Sequence, residues 1–408
     1  MPDSTSVCVV GLGYIGLPTA ATLAGAGHRV IGVDTNPSVV DTINAGRIHI
    51  VEPGLADLVR EAVASGMLRA EAVPVPADTY LICVPTPLIG GGATPNPDIG
   101  HVLAAARSIA PVLQPGNLVL IESTCPVGTT ERVRDELGEA GASVDGIRLA
   151  YCPERVLPGR ILHELAANDR IIGGLDDRAA DEARQFYATF VRGALFITDS
   201  RTAEMVKLVE NSFRDVNIAF ANEISVLSDH LGIDPWEVID LANRHPRVQI
   251  LQPGPGVGGH CIAVDPWFIV AQDPETARLI TTARQVNDEK TDWVVQRIAE
   301  AAARLTAELD RPVRVACLGL SYKPDVDDLR ESPSVRVALA LLARGIDVLP
   351  CEPHISRHPV LALVDAGTAV AEADIVAVLV GHTQFAELDL AGKVVLDFCG
   401  LTVRFLRP

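Results

Sequence analysis

Cys261 stands in the stretch GPGVGGHCIAVDP, residues 254–266, with His260 before it and Asp265 four residues on. A loop thiol followed by a carboxylate has two readings. Cysteine is among the most buried residue types and fills gaps in turns. A thiolate can instead add to an aldehyde, after which the hemithioacetal gives up hydride and water cleaves the thioester. That chemistry needs a base and an oxyanion partner. Glu204, Lys207, Asn211 and Arg214 follow one another at spacings of three, four and three, which places them on one helix face. Lys207 and Asn211 are suited to hold an alkoxide or move a proton, although the same spacing describes the wet face of a surface helix. Glu154, in YCPERVLPG, follows a strand, where it can activate water or make a loop salt bridge. Asp265 suits any of three roles, which are orienting Lys207, holding a catalytic water and capping the PWFIV run. Adjacent side chains usually diverge, so His260 is not paired with Cys261. Spacing alone leaves nucleophile and filler evenly matched.

Hydride needs an acceptor. GLGYIG, residues 11–16, fits G-x-G-x-x-G: it follows a strand, opens a helix, and precedes Asp34 at the end of the next strand. Gly11, Gly13 and Gly16 permit the tight turn, approach of a pyrophosphate and close helix packing, with Tyr14 and Ile15 inside the turn. The helix amino terminus then faces the phosphates. Asp34 accepts from ribose hydroxyls and repels a 2′-phosphate, so NAD is expected rather than NADP. Pro85 and Thr86 in CVPTP, and Thr124 in ESTCPVGTT, end strands expected to border the nicotinamide, and each also reads as a loop or cap residue.

The elements that must position these residues alternate. SVCVVGLG, RVIGVD, TYLICVPTP and NLVLIEST read as strands with helical segments between them, which implies a parallel sheet covered on both faces. A long helix over about 202–231 and a second helical stretch to Leu309 form a helical middle region. From Arg311 the plan repeats: PVRVACLGLSYKP, a helix ending at Gly345, then DVLPCEP, a strand ending in an acid. The fold class expected is α/β, with two doubly wound, Rossmann-like parallel-sheet domains joined by a helical one. The boundaries are 1–200, 201–309 and 310–408. In GLSYKPDVDDLRESPS, Lys323 and Arg330 stand near a helix start beside three aspartates, a basic pair suited to a diphosphate.

Composition narrows the partners. The 408 residues carry a formal net charge of −18, which argues against nucleic acid and anionic membranes. The amino terminus lacks the basic region of a signal peptide, and the apolar runs break before a membrane-spanning length. A cytoplasmic location is expected. Eight scattered cysteines show no CxxC spacing, so neither a metal site nor a disulfide framework is expected. Cys8, Cys83, Cys317 and Cys351 sit in apolar runs and read as core.

In this order, GLGYIG, PTP, EST-PVGTT, PER, K-x-x-x-N, GGHC-x-x-x-D and SYKP-x-x-x-D-x-RESP resemble the UDP-glucose/GDP-mannose dehydrogenase family over essentially the whole chain. RHPRVQILQPGPGVGGHCIAVDPWFIVAQ looks like the branch that oxidises UDP-N-acetyl-D-mannosamine. Where UDP-glucose enzymes usually carry Pro-Lys in this loop, Ala263 and Val264 stand here, and Pro158 replaces a second glutamate common in that branch.

The resemblance implies a four-electron oxidation of carbon 6, from alcohol to acid, with two NAD. Cys261 is then the nucleophile, Lys207 the acid/base or oxyanion partner, and Asn211 and Asp265 hold water and lysine. Glu154 assists water. Arg155, Val156, Lys207, Asn211, Arg214, His245, Arg247, Gly259, Tyr322, Lys323 and Arg330 line the UDP-sugar site, with Arg330 also reaching the cofactor. A homodimer through the long helix is implied, with Arg247 reaching the neighbour's pocket. Three alternatives remain: a UDP-N-acetylglucosamine or UDP-glucose enzyme, a dehydrogenase or epimerase without a covalent intermediate, and a silent nucleotide-sugar-binding protein.

Overall fold

The structure is a computed structural model that describes residues 5–90, 94–259 and 261–402; His260 lies outside them. The chain forms two compact units, Met1–Val209 with Trp267–Gln272, and Glu210–Pro266 with Asp273–Pro408.

The first unit follows the expected alternation. Its elements are β1 (Ser6–Val10), α1 (Gly16–Gly25), β2 (Arg29–Val33), α2 (Pro37–Asn44), α3 (Leu55–Ala64), β3 (Leu68–Glu71), β4 (Thr79–Ile82), the short hairpin β5 (Leu88–Ile89) and β6 (Asn96–Pro97), α4 (Gly100–Ile109), β7 (Leu118–Ile121), α5 (Thr129–Glu139), β8 (Arg148–Tyr151), α6 (Ile161–Ala167), β9 (Arg170–Gly174), α7 (Asp177–Tyr187) and β10 (Leu195–Asp199). The main sheet runs β10-β9-β8-β7-β4-β1-β2-β3. Val7, Val9, Leu81 and Leu120 point to one face, under α1, α3 and α7. Cys8, Val10, Tyr80, Ile82, Val119 and Ile121 point to the other, under α4 and α5. Burial on both faces explains why these strands read as continuous apolar runs.

Six neighbouring strands, β8-β7-β4-β1-β2-β3, are parallel, as expected. β9 departs from the plan: it pairs antiparallel with β8, and β10 runs parallel to β9. The segment between β8 and β9 returns to the end of the sheet it left, so β9 must run backwards. Its last residues are glycines because Cβ atoms there would meet Ser200 Cα at 2.7 Å and Ala180 N at 2.6 Å.

The helix α8 (Ser200–Leu231) begins in the first unit and ends in the second. The second unit adds α9 (Pro235–Ala242), the start of α10 (Asp265–Gln272), and α11 (Arg278–Leu309). Its sheet elements are β11 (Arg314–Leu318), α12 (Pro333–Ala343), β12 (Asp347–Cys351), α13 (Ala366–Glu372), β13 (Ile375–Val378) and β14 (Val394–Asp397). The sheet order is β12-β11-β13-β14, all parallel. Val294 and Ile298 of α11 pack with Val337 and Leu341 of α12 over one face. A buried polar seam joins α8 to α11: Arg284 pairs with Asp215 at 2.7 Å, and Asn222 donates to Asn287 at 2.9 Å. Among the described residues no helix is long and apolar enough to cross a membrane.

Cys8, Cys317 and Cys351 are core residues, and burial pushes their thiols up, to about 11 for Cys8 and about 12 for the other two. Cys83, just past β4, is half-buried and packs against the core of the first unit.

Candidate functional site

The glycines of the first turn divide the work. Gly11 has φ of +93°, and a Cβ there would lie 2.6 Å from Cys83 O. A Cβ on Gly16 would lie 1.8 Å from Gly11 O, so that glycine serves helix–strand packing. A Cβ on Gly13 would meet nothing within 4 Å, which leaves open the side from which a pyrophosphate can approach. Tyr14 and Ile15 are half-buried, and the start of α1 carries no side-chain cap. Two backbone donors hold the Asp34 carboxylate in place, Leu12 N to Oδ2 at 3.1 Å and Asn36 N to Oδ1 at 2.9 Å. These residues fit a dinucleotide such as NAD. Pro85 is exposed, and Thr86 and Thr124 are half-buried. Ser123 Oγ donates to Val84 O at 2.7 Å and ties the two threonine loops together.

Lys207 is buried early in α8, and its Nζ donates to Glu154 O at 2.9 Å. The PER loop therefore holds the lysine by its backbone. The Glu154 carboxylate turns elsewhere: Oε1 accepts from Arg155 N at 2.6 Å, and Oε2 lies 2.7 Å from Arg170 Nη1. Arg155 directs its guanidinium to Asp169 O, and Val156 is half-buried. Glu204 does not work alongside Lys207. It caps α5, accepting from Gly128 N at 2.6 Å and from Thr130 N and Oγ1 at 2.8 and 2.6 Å. Burial raises its carboxyl above the usual range despite these bonds.

In the second unit Cys261 is partly exposed. Its carbonyl accepts from Val264 N at 3.0 Å and Asp265 N at 2.8 Å, a turn that leads directly into α10. Asp265 is buried at the head of α10, and Oδ2 accepts from Asn211 Nδ2 at 2.5 Å. Asn211 lies one helical turn after Lys207 in α8.

The SYKP loop packs on the cysteine loop. Gly259 has φ of +80°, and its N donates to Arg330 O at 3.1 Å. A Cβ on Gly258 would lie 2.7 Å from Glu331 O, and one on Gly259 would lie 3.0 Å from the Tyr322 ring. Lys323 Nζ stands 5.6 Å from the centre of that ring. Arg330 forks onto Asp328, so a diphosphate would compete for it. Arg214, His245 and Arg247 are exposed, and His245 Nδ1 accepts from Arg247 N at 3.3 Å.

Two features escaped the sequence. Glu352, the acid ending the second copy's strand, is buried rather than open: Oε2 accepts from Leu320 N and Ser321 N at 2.7 and 2.8 Å. His382 Nε2 lies 3.0 Å from the same oxygen, and His382 Nδ1 accepts from Asp325 N at 2.9 Å. The acid thus scaffolds the SYKP loop instead of facing a ribose. Asp325, His354 and His382 offer atoms within 4.8 Å of one another. The bond from Asp325 N uses the His382 Nδ1 lone pair that a metal would need. The second feature is a buried cluster of Glu122, Arg170 and Tyr187 behind Glu154. An arginine opening the apolar run RIIGG was its available signal.

Comparisons with known proteins agree across the chain. The NAD binding domain of the UDP-glucose/GDP-mannose dehydrogenase family matches residues 5–191, its central domain residues 201–289 and its UDP binding domain residues 316–403. The chain is 53% identical over 417 residues to the NDP-N-acetyl-D-galactosaminuronic acid dehydrogenase of Ralstonia nicotianae, covering 98% of this chain and 96% of that protein. It is 53% identical over 402 residues to the UDP-N-acetyl-D-mannosamine dehydrogenase of Salmonella typhi, covering 93% and 94%. The solved structure of the UDP-N-acetyl-mannosamine dehydrogenase Cap5O from S. aureus matches with a TM-score of 0.88 at 42% identity, covering 97% and 95%.

Proposed function

Because this chain belongs to the UDP-glucose/GDP-mannose dehydrogenase family, we propose that it oxidises carbon 6 of UDP-N-acetyl-D-mannosamine from alcohol to acid through a thioester on Cys261. The observation that carries the reading is a partly exposed cysteine in a glycine loop, one turn before the buried Asp265–Asn211 pair. NAD, held by Gly11, Gly13, Gly16 and Asp34, supplies the acceptor for each hydride. Lys207 takes the alcohol proton as the aldehyde forms. The Cys261 thiolate adds to that carbonyl carbon, and Lys207 and Asn211 stabilise the oxyanion. Loss of the second hydride leaves the thioester. Water then adds as Glu154 removes its proton, and the C–S bond breaks to give the acid and the thiolate. Arg155, Val156, Arg214, His245, Arg247, Gly259, Tyr322, Lys323 and Arg330 hold the UDP-sugar in this reading. The division of labour is three domains, 1–200, 201–309 and 310–408.

A second reading, an N-acetylgalactosamine-type sugar, is favoured by the equal identity to the Ralstonia relative. NADH yield separates the two. With excess NAD and limiting UDP-N-acetylmannosamine, two NADH per sugar are expected. Two NADH with UDP-N-acetylgalactosamine, UDP-N-acetylglucosamine or UDP-glucose instead would keep the mechanism and move the substrate. One NADH, or none with any sugar, would remove the covalent account.

The same reading places the protein in the cytoplasm, supplying uronic acid sugars for polysaccharide assembly; recovery with the membrane pellet would count against that placement. It also implies a homodimer. Support comes from Met205, Val209, Phe213, Phe220, Leu227 and Leu231, all exposed, which recur along α8 within one narrow stripe. Phe213 and Leu231 are 68% and 71% exposed, unusual for large apolar side chains without a partner. Phe213→Glu is expected to convert a sedimenting dimer to monomer at micromolar concentration. A wild-type chain that already sediments as a monomer would remove the dimer.

A further inference from the structure

The second copy of the glycine turn keeps the backbone of the first but not its openness. Gly319 N donates to Cys351 O at 2.9 Å, as Gly11 N does to Val33 O at 2.8 Å. Asp34, just past β2, stays half-buried. Glu352, just past β12, is buried, and His382 closes over it with Nε2 3.0 Å from Oε2. The other oxygen, Oε1, accepts from His354 N at 3.0 Å. So enclosed, the carboxylate is poorly placed for a ribose hydroxyl, and the histidine facing it is turned to another task.

β11 lies between β12 and β13, and the three parallel strands end on the same side of the sheet. Ligands of such sheets bind beyond the carboxyl ends, where neighbouring strands lead the chain to opposite sides. The SYKP loop leaves β11 at that place, and both neighbours hold it. After β12, Glu352 accepts from Leu320 N and Ser321 N. After β13, His382 Nδ1 accepts from Asp325 N at 2.9 Å. Thr383 donates its N to Asp325 Oδ1 at 2.9 Å and its Oγ1 to Oδ2 at 2.7 Å. Asp325 has φ of +59°, a left-handed conformation that a residue with a Cβ adopts at some cost, and these three bonds converge on it. Inside the loop, Ser321 Oγ donates to Lys323 O at 2.7 Å and Tyr322 N to Asp328 O at 3.0 Å. Half-buried Lys323 is separated from the clamped aspartate by Pro324, whose ring fixes its φ. Because His382 Nδ1 accepts a backbone N–H, the ring proton sits on Nε2, where it faces Glu352. The acid thus holds the histidine, and the histidine holds the far end of the loop.

We propose that His382 is a positioning residue for the diphosphate of the UDP-sugar: its Nδ1 clamps Asp325 N and so sets where Lys323 stands. The inference rests on the reading of Lys323 as a diphosphate ligand. The diphosphate is unchanged by oxidation at carbon 6, so its contact is made alike before and during the reaction. Losing the clamp therefore weakens binding without slowing the chemistry.

The test uses the full-length enzyme and free UDP, titrated by calorimetry, so that it needs no turnover. His382→Gln keeps an amide donor within reach of Glu352 and removes the acceptor at Nδ1. His382→Asn puts an amide oxygen where Nδ1 stood. The glutamine variant is expected to raise the Kd for UDP ~10-fold, and the asparagine variant to stay within about threefold of wild type. With a UDP-sugar that gives turnover, its KM should follow the same order while kcat and the KM for NAD hold. Thr383→Val, at an exposed position, removes the Oγ1 bond to Asp325 and is expected to weaken UDP in the same direction by less. It covers the case in which His382→Gln does not fold. In a Lys323→Ala background, His382→Gln should add little, because both act on one contact. An unchanged Kd in His382→Gln and Thr383→Val overturns the proposal. So does full additivity with Lys323→Ala, or equal weakening by glutamine and asparagine with a lowered Tm, the pattern of a residue that only fills the core. Lys323→Ala alone separates the two readings. If it binds UDP as wild type does, the reading of Lys323 fails; if it weakens UDP while the His382 variants do not, only the role of His382 does.

Discussion

Cys261→Ser is expected to abolish steady-state turnover, with kcat falling on the order of 10⁴-fold. The reason lies in the nature of the leaving group and of the nucleophile. A thiolate is available near neutral pH and makes an activated thioester; a serine hydroxyl must lose a far less acidic proton and makes a stable ester. NADH formation should stop at or below the enzyme concentration, and intact mass should show any acyl-serine adduct that forms. Thermal stability should hardly change, because Cys261 is partly exposed and serine keeps the backbone carbonyl that accepts from Val264 N and Asp265 N. A variant with near wild-type NADH production would return Cys261 to a gap-filling role and favour a non-covalent dehydrogenase.

What was legible in the sequence follows a physical pattern. The six parallel strands were legible because a sheet buried on both faces needs nearly unbroken apolar runs. The direction of β9 was not, because a strand's composition is the same whichever way it runs. Gly11, Gly16 and Asp34 were legible because the turn they make is local: Asp34 reaches Leu12 N, 22 residues away, through one strand–helix–strand unit. The partner of Asp265 was not, because Asn211 lies 54 residues earlier and nothing local couples them. Spacing assigned Glu204 to the same face as Lys207. It could not show that the first turn of α8 meets the amino terminus of α5, where an acid is used as a cap. Glu352 was read correctly as a strand-ending acid, yet its burial with His382 depended on a strand end 30 residues further on. Local rules carried the cofactor turn; the supporting contacts were settled by tertiary packing.

The same logic gives Lys207→Met the second large effect: kcat down by about 10²–10³-fold with KM changed only a few-fold. Methionine keeps the length of the buried stem and removes the ammonium. Two losses follow. Developing negative charge on the sugar oxygen loses its cation, and Glu154 O loses the donor at 2.9 Å that ties the PER loop to α8. Stopped-flow NADH formation reads the burst of the hydride steps and so tests this variant directly. Here the burst itself should slow, since alkoxide formation precedes the first hydride loss. Lys207→Arg then distinguishes the two roles given to the lysine. Arginine keeps the positive charge but does not give up its proton near neutral pH. If Lys207 acts only as an electrostatic partner, arginine should restore part of the rate. If it moves a proton, arginine should be as slow as methionine. A burst of normal rate in Lys207→Met would show that the lysine serves the loop alone, leaving the oxyanion to Asn211.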